Sequence, residues 1–306
     1  MRLEGIHHVT AITGDAPGNV AFYTGVLGLR LVKKTVNQDE PSVYHLFYGD
    51  DAGSPGMDLT FFEYPHAARG SAGAGMVHRI LWRVSSQAAL EFWSERLREH
   101  GTSAELTGEG LRFADPEGLE HQLLISNAPD EPLAASAPGI PGEHALLGFE
   151  GVRAYSADPA RSESLLSETL GFTAGAGGHW EVRGEQRGGS YIYDAPPPGL
   201  TPSQGAGTVH HVAFAARMEE EQGWRERLAS AGANPTGVID RFYFRSIYFR
   251  EPSGVLMEIA TMGPGFAVDE DGAHLGERLA LPPRFESLRE QLEGMLTPLP
   301  VPGSSA

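Results

Sequence analysis

At 306 residues, with 41% hydrophobic residues and no cysteine, the chain has room for two domains or one internally duplicated fold, and disulfides and thiolate metal sites are excluded. A formal charge of −17, from 23 Lys and Arg against 40 Asp and Glu, repels phosphate backbones and anionic membrane surfaces, so no nucleic acid or membrane partner is expected and a small molecule is. No apolar run approaches membrane-spanning length and Met1–Gly5 lacks a signal-like apolar region, so a soluble, cytoplasmic protein is expected.

Three stretches rich in Pro, Gly and Ala, at 67–75, 129–142 and 195–207, read as linkers. They leave blocks at 5–65, 76–127, 147–194 and 208–262. Each block opens on a strand-like run: 6–12, 77–84, 149–155 and 209–215. A helix-period segment follows in each, at 19–27, 87–100, 159–170 and 219–231, closed by Gly28, Gly101, Gly171 and Gly232. Glycine tolerates the left-handed conformation of a helix C-terminus. Further β-rich runs complete each block. The repeated order predicts an α+β protein of four βαβββ modules, paired into two curved mixed-sheet domains. In that reading residues 1–135 hold the first two modules, and 136–306 hold the last two plus a helical tail near 284–295.

Two His-His pairs stand at the starts of modules one and four: His7-His8 and His210-His211. Neighbours on a strand face opposite ways, so parity selects one of each pair. His210 shares its parity with Val212 and Phe214, a bulky packing face. His211 goes with Ala213 and Ala215, which leaves room for a ligand. On the last strand of module four, Val255, Met257 and Ile259 form the packing face, and Glu258 lies on the other. By analogy His8, with Thr10 on its face, is the ligand from module one. Two imidazoles and one carboxylate with open positions suit Fe(II) and O2 chemistry, with Mn(II) as the alternative ion.

Paired βαβββ modules with ligands on first and last strands resemble the vicinal oxygen chelate superfamily. Within it, the runs Gly5-Ile6-His7-His8-Val9-Thr10, Tyr23 to Asn37, Tyr44 to Asp50 and Asp240 to Arg250 resemble the hydroquinone-type ring-cleaving dioxygenases. The likeness spans the chain apart from roughly its last forty residues. It implies the same iron ligands, His8, His211 and Glu258. It also implies that His7 and His210 hydrogen-bond those ligands, position substrate or move protons. Tyr248 is then a donor to a substrate oxygen, and Arg241 stabilises anionic oxygen or the second ring hydroxyl. Thr10, Thr60 and Tyr243 are expected to contact substrate.

The fourth corner decides the chemistry. The turn register of module one sets Thr60 opposite Glu258, where glyoxalase-type lyases of the superfamily place a further carboxylate. A threonine is a poor ligand, which leaves the coordination sphere open; Asp58, two residues earlier, is the rival. In module two the parallel turns Pro116-Glu117-Gly118 and Pro252-Ser253-Gly254 set Gln122 at the position of Glu258, and His78 aligns with His210, so one metal site per chain is expected.

The resemblance implies O2-dependent opening of para-diols with both oxygen atoms incorporated, in aromatic degradation or quinone detoxification. Three alternatives stand beside it. An extradiol enzyme would take catechols. A non-oxidative lyase or isomerase would use Mn, Ni or Zn as a Lewis acid. A drug-sequestering module would ordinarily have lost the ligand triad. A homodimer is compatible with such a fold, and no residue pattern establishes one. His45 reads as a packed or pocket-lining strand residue, and His121 as one near a turn or exposed.

Overall fold

The computed structural model describes residues 1–299. Module one comprises β1 (Ile6–Thr13), α1 (Ala16–Val20), β2 (Arg30–Val36), β3 (Tyr44–Gly49) and β4 (Asp58–Glu63). Module two comprises β5 (Met76–Val84), α2 (Gln87–Glu99), β6 (Ala104–Thr107), β7 (Gly110–Ala114) and β8 (Glu120–Ile125). Module three has β9 (Phe149–Tyr155), β10 (Thr173–Ala174), β11 (His179–Arg183) and β12 (Gly188–Asp194). Module four has β13 (Val209–Ala216), α3 (Glu221–Ser230), β14 (Ile239–Asp240), β15 (Arg245–Arg250) and β16 (Leu256–Thr261). The predicted strand order is therefore present in all four, and an α-helix follows the leading strand in modules one, two and four. No described helix is long and apolar enough to cross a membrane.

The modules do not pair by sequence halves. One eight-stranded sheet runs β14-β15-β16-β13-β1-β4-β3-β2, joining modules four and one. The other runs β10-β11-β12-β9-β5-β8-β7-β6, joining three and two. The expected domains 1–135 and 136–306 thus each contribute one module to each sheet. Neighbours in sequence usually pair in space, which is what the halves assumed. Here a module's leading strand has a free edge to cover, and β1 covers it antiparallel with β13, β5 with β9. The linkers 67–75 and 195–207 carry the chain between the sheets side by side, bridged at Ser71 and Ser203.

Two of the four helical segments are not regular α-helices. After α1 the chain widens into a π-helical turn, Ala21–Val26, in which Leu27 N–H donates to Phe22 O. Module three has a 3-10 turn at Pro159–Ser162 and a π turn at Leu165–Thr169 in place of a helix. The wide turn buries consecutive large residues, Phe22 with Tyr23 and Leu165 with Leu166. The closing glycines behave as expected, with φ of 69° at Gly28 and 77° at Gly171.

One continuous apolar core spans both sheets and includes Val9, Phe61, Trp82, Trp93, Phe214 and Met257. Each of its large aromatic side chains contributes about 3–5 kcal/mol against truncation to alanine. A separate small cluster lies on the opposite face of the first sheet: Val32, Phe47, Ala213, Tyr243, Phe244, Ala260, Phe266 and Leu275. The tail after β16 completes it by strapping across module one. Lys33, wholly buried, donates from Nζ to Phe266 O (3.0 Å), Asp269 Oδ1 (2.8 Å) and the Glu270 carboxylate. The expected terminal helix is shorter than 284–295, a 3-10 turn at Pro283–Leu288 preceding α4 (Arg289–Met295).

His121 is not near the surface. It is fully buried, with Trp82 Nε1–H donating to Nδ1 (3.0 Å) and Tyr23 OH 3.0 Å from Nε2. The Tyr23 hydroxyl donates to Asp115 at 2.9 Å, so this group joins module one to module two.

Candidate metal centre

Strand alternation sends His8, His211 and Glu258 to the same face, and the sheet brings them together. His8 Nε2 and His211 Nε2 are 3.2 Å apart, and both lie near Glu258 Oε2, at 3.2 and 2.9 Å. Among the described residues this is the one group of three His or carboxylate side chains so placed. All three are buried. Donors on three adjacent positions around one ion, each about 2.1 Å from it, lie about 3 Å from one another.

Both non-ligand histidines sit in β-bulges, which parity alone does not foresee. Ile6 pairs with Phe214 and His8 with Ala213, so His7 is the inserted residue on β1. Thr10 pairs with His211 and Ala11 with Val209, so His210 is inserted on β13. A bulge turns the extra residue out of strict alternation. His7 Nδ1 thereby comes 2.9 Å from His8 Nδ1, and His210 Nδ1 comes 2.8 Å from His211 Nδ1.

The His7 contacts settle a tautomer. His7 Nε2 lies 3.2 Å from Thr261 O, which can only accept, so Nε2 carries the proton. Burial and the neighbouring His8 push His7 down to about 3, so it is neutral and its Nδ1 accepts. His8 Nδ1–H must therefore donate, which leaves His8 Nε2 as the ring nitrogen facing the centre. Burial also lowers His211. Burial would raise the Glu258 carboxyl, but the two imidazoles outweigh it and hold it ionised. Neither Glu258 oxygen has a hydrogen-bond donor. Two ring nitrogens and a carboxylate converging in a buried space are the donor set of a divalent metal, so these residues fit one.

The fourth corner is Thr60. Thr10 pairs with Thr60 as Ala213 pairs with Glu258, which makes Thr60 and Glu258 equivalent across the β1–β13 junction. The Thr60 hydroxyl is 2.8 Å from Thr10 Oγ1 and 2.9 Å from His45 Nε2. Asp58 is outside the ligand group, a buried carboxyl raised far above its ordinary value by burial and by Asp50. In the second sheet the corresponding positions hold Arg79, Gly151, Ile192 and Gln122, and the bulges recur at His78 and Glu150. That sheet keeps the backbone irregularity without the ligands.

A cleft opens over the triad, with His8 and His211 in its wall. Phe47, Phe62 and Phe244 supply aromatic surface, and Tyr243, Tyr248 and Arg241 line it as well. Tyr248 pairs with Glu258 across β15–β16, and its ring is edge-on to His211 at 5.6 Å between centroids. Burial and the Glu258 charge raise Tyr248 far above its ordinary value, so its hydroxyl keeps its proton. Arg241 lies over the Tyr248 ring at 5.5 Å and is bidentate to Asp39. The Tyr243 hydroxyl donates to Asp269 at 3.1 Å, so it offers the cleft its ring.

Thr10 and Thr60, expected on the substrate wall, lie beneath it, fully buried and bonded to each other. His7 and His210 likewise lie behind the wall, each in contact with the neighbouring candidate ligand. Sequence reasoning gave too little weight to His45, which lines the cleft between the rings of Phe47 and Phe62 at 4.0 and 4.4 Å. It missed Gln38 and Asp39 altogether. Both are in the β2–β3 loop, and no local pattern marks a loop that folds over a distant strand.

Residues 5–123 and 146–259 match the Glyoxalase/Bleomycin resistance protein/Dioxygenase superfamily, and the chain belongs to it. Over 98% of its length it is 40% identical to the whole of "Putative ring-cleaving dioxygenase MhqA" of Bacillus subtilis (strain 168). It is 31% identical to "Chlorohydroquinone/hydroquinone 1,2-dioxygenase" of Sphingobium indicum, with 95% of each chain covered. A crystal structure from Bacillus subtilis subsp. subtilis str. 168, which also carries a dioxygenase name, superposes with a TM-score of 0.91 at 37% identity over 98% of both chains. Glyoxalase I from Zea mays shares the fold at a TM-score of 0.56 and 15% identity, over 84% of this chain and 92% of that one.

Proposed function

We propose that this protein is an Fe(II)-dependent dioxygenase that opens hydroquinone-type rings with O2, with Mn(II) as the alternative ion. The observation that carries the reading is the open triad: His8, His211 and Glu258 converge, while the fourth corner is a threonine whose hydroxyl is already engaged. The names of its ring-cleaving relatives, one of them a hydroquinone dioxygenase, support it. Its placement in aromatic degradation or quinone detoxification follows from the same reading.

Bound through the triad, the metal supplies a template for diol and O2 and a path for electrons between them. The protein does the rest. Phe47, Phe62 and Phe244 hold the ring and exclude water. Tyr248, protonated and beside His211, is placed to donate a hydrogen bond to a substrate oxygen. His7 orients His8 and keeps its Nε2 facing the centre. His210 stands in the same relation to His211, with burial and His211 lowering it to about 4.

The test is O2 uptake by anaerobically Fe(II)-loaded protein given methylhydroquinone or catechol, with His8→Ala and Glu258→Ala as controls. Uptake with methylhydroquinone that needs iron and both side chains is the expected result. Preference for catechol would move the enzyme to the extradiol branch. No uptake with verified iron in place would point to a non-oxidative lyase.

A further inference from the structure

Among the described residues, no unpaired Lys or Arg side chain lines the cleft. Arg241 is the one Lys or Arg among its lining residues, and its fork is occupied: Nη1 and Nη2 donate to the two oxygens of Asp39 at 2.9 and 2.8 Å. These bonds hold the Asp39 carboxyl below its usual value. Gln38 Nε2 donates to Arg241 O at 2.6 Å, and Arg284 donates to Gln38 Oε1 at 2.8 Å, so the β2–β3 loop is tied across the mouth. Of the cations just outside the lining, Arg284 is engaged by Gln38 O and Oε1, and Lys33 sits behind Tyr243 with Nζ 4.7 Å from the ring centre, committed to Asp269 and Glu270. The remaining lining side chains are aromatic rings, amides, a hydroxyl and imidazoles.

We propose that Asp39 is a specificity-determining residue: by occupying Arg241 it leaves the cleft unable to pair a carboxylate, so the site takes uncharged single-ring para-diols and turns away acidic ones. This rests on the hydroquinone reading above. With a ring hydroxyl taking the open metal position, a carboxylate elsewhere on that ring needs a side-chain cation at the cleft wall, and the lining offers none that is unpaired. Repulsion from Asp39 at the mouth adds to the discrimination. The Asp39 side chain is 72% exposed, so removing its charge leaves the fold intact. That change frees a planar guanidinium whose geometry suits bidentate capture of a carboxylate.

The experiment compares 2,5-dihydroxyphenylacetate with 2,5-dihydroxyphenylacetamide, which differ in charge and hardly in shape. Binding to metal-loaded protein is measured by calorimetry without O2, for the natural chain and for Asp39→Asn. O2 uptake with methylhydroquinone is run in parallel. The natural chain should bind the amide roughly tenfold or more tightly than the acid, and Asp39→Asn should close most of that gap by gaining the acid. Equal binding by the natural chain, or an unchanged ratio in Asp39→Asn, would overturn the proposal while methylhydroquinone uptake kept the hydroquinone reading alive. Failure to bind either compound, with methylhydroquinone still consumed, would also overturn it, because the cleft would then select by size. Absence of uptake and of binding would bring down the hydroquinone reading, and the proposal with it.

Discussion

The Nδ1 atoms of His7 and His8 lie 2.9 Å apart, and the far nitrogen of His7 meets the carbonyl of Thr261 at 3.2 Å. That carbonyl belongs to β16, the strand that also carries Glu258. One imidazole thus fixes the tautomer of His8 on β1 against the strand that supplies Glu258, the two being candidate ligands of one metal. His7→Phe should keep the fold and weaken metal binding by roughly 10–100-fold. Competition with a chelator of known affinity measures this, and an unchanged metal affinity would refute the tautomer argument.

Metal loading should stabilise the fold through the same triad. At a free metal concentration a hundred times its Kd, the gain is about 2.7 kcal/mol. Thermal melts of the natural chain should shift upward with Fe(II) or Mn(II) and return on chelation. In Glu258→Ala the melt should be indifferent to both treatments.

Tyr248 is expected to act on substrate and not on the metal. Tyr248→Phe should lower kcat by about 10²-fold or more with metal affinity unchanged. A change in metal affinity with kcat preserved would give the hydroxyl a supporting role only.

Acid sensitivity should arise partly from His121, far from the triad. Burial pushes it down to about 3, so the native state keeps it neutral. An unfolded chain protonates the same ring once pH falls below about 6.5. Its contribution is therefore complete above about 6.5 and is lost progressively as pH falls toward 3, on the order of a few kcal/mol. Melting temperatures of the natural chain and His121→Gln should show a flatter profile for the variant between pH 7 and 5.

Lys33 ties the tail to module one from a wholly buried position. Lys33→Met leaves Asp269 and Glu270 facing each other without their cation and should cost about 3–5 kcal/mol. Urea denaturation reads the loss. Because Tyr243 and Phe266 pack around the Lys33 ammonium, the same variant should also raise KM.

The candidate ligand triad was legible because strand alternation is a local rule. Ala213 and Ala215 beside His211, against Val212 and Phe214 beside His210, identify the open face from six residues of chain. Module boundaries were legible for a similar reason, since Gly28, Gly101, Gly171 and Gly232 mark backbone conformations that other residues avoid. The bulges at His7 and His210 were not legible. An inserted residue shows only in the partner strand's register, and that partner lies two hundred residues away.

By itself, then, the sequence determined the four-module α+β character, the candidate triad, the threonine at the fourth corner and the family, because each depends on periodicity or on which side chain stands at a given place. The tertiary structure decided what depends on closing distances between remote segments. It joined module one to module four, tilted His7 and His210 toward the ligands, drew His45 into the wall, and set Asp39 on Arg241 across the mouth of the cleft. Edge pairing and desolvation select those arrangements among many that the same local pattern allows.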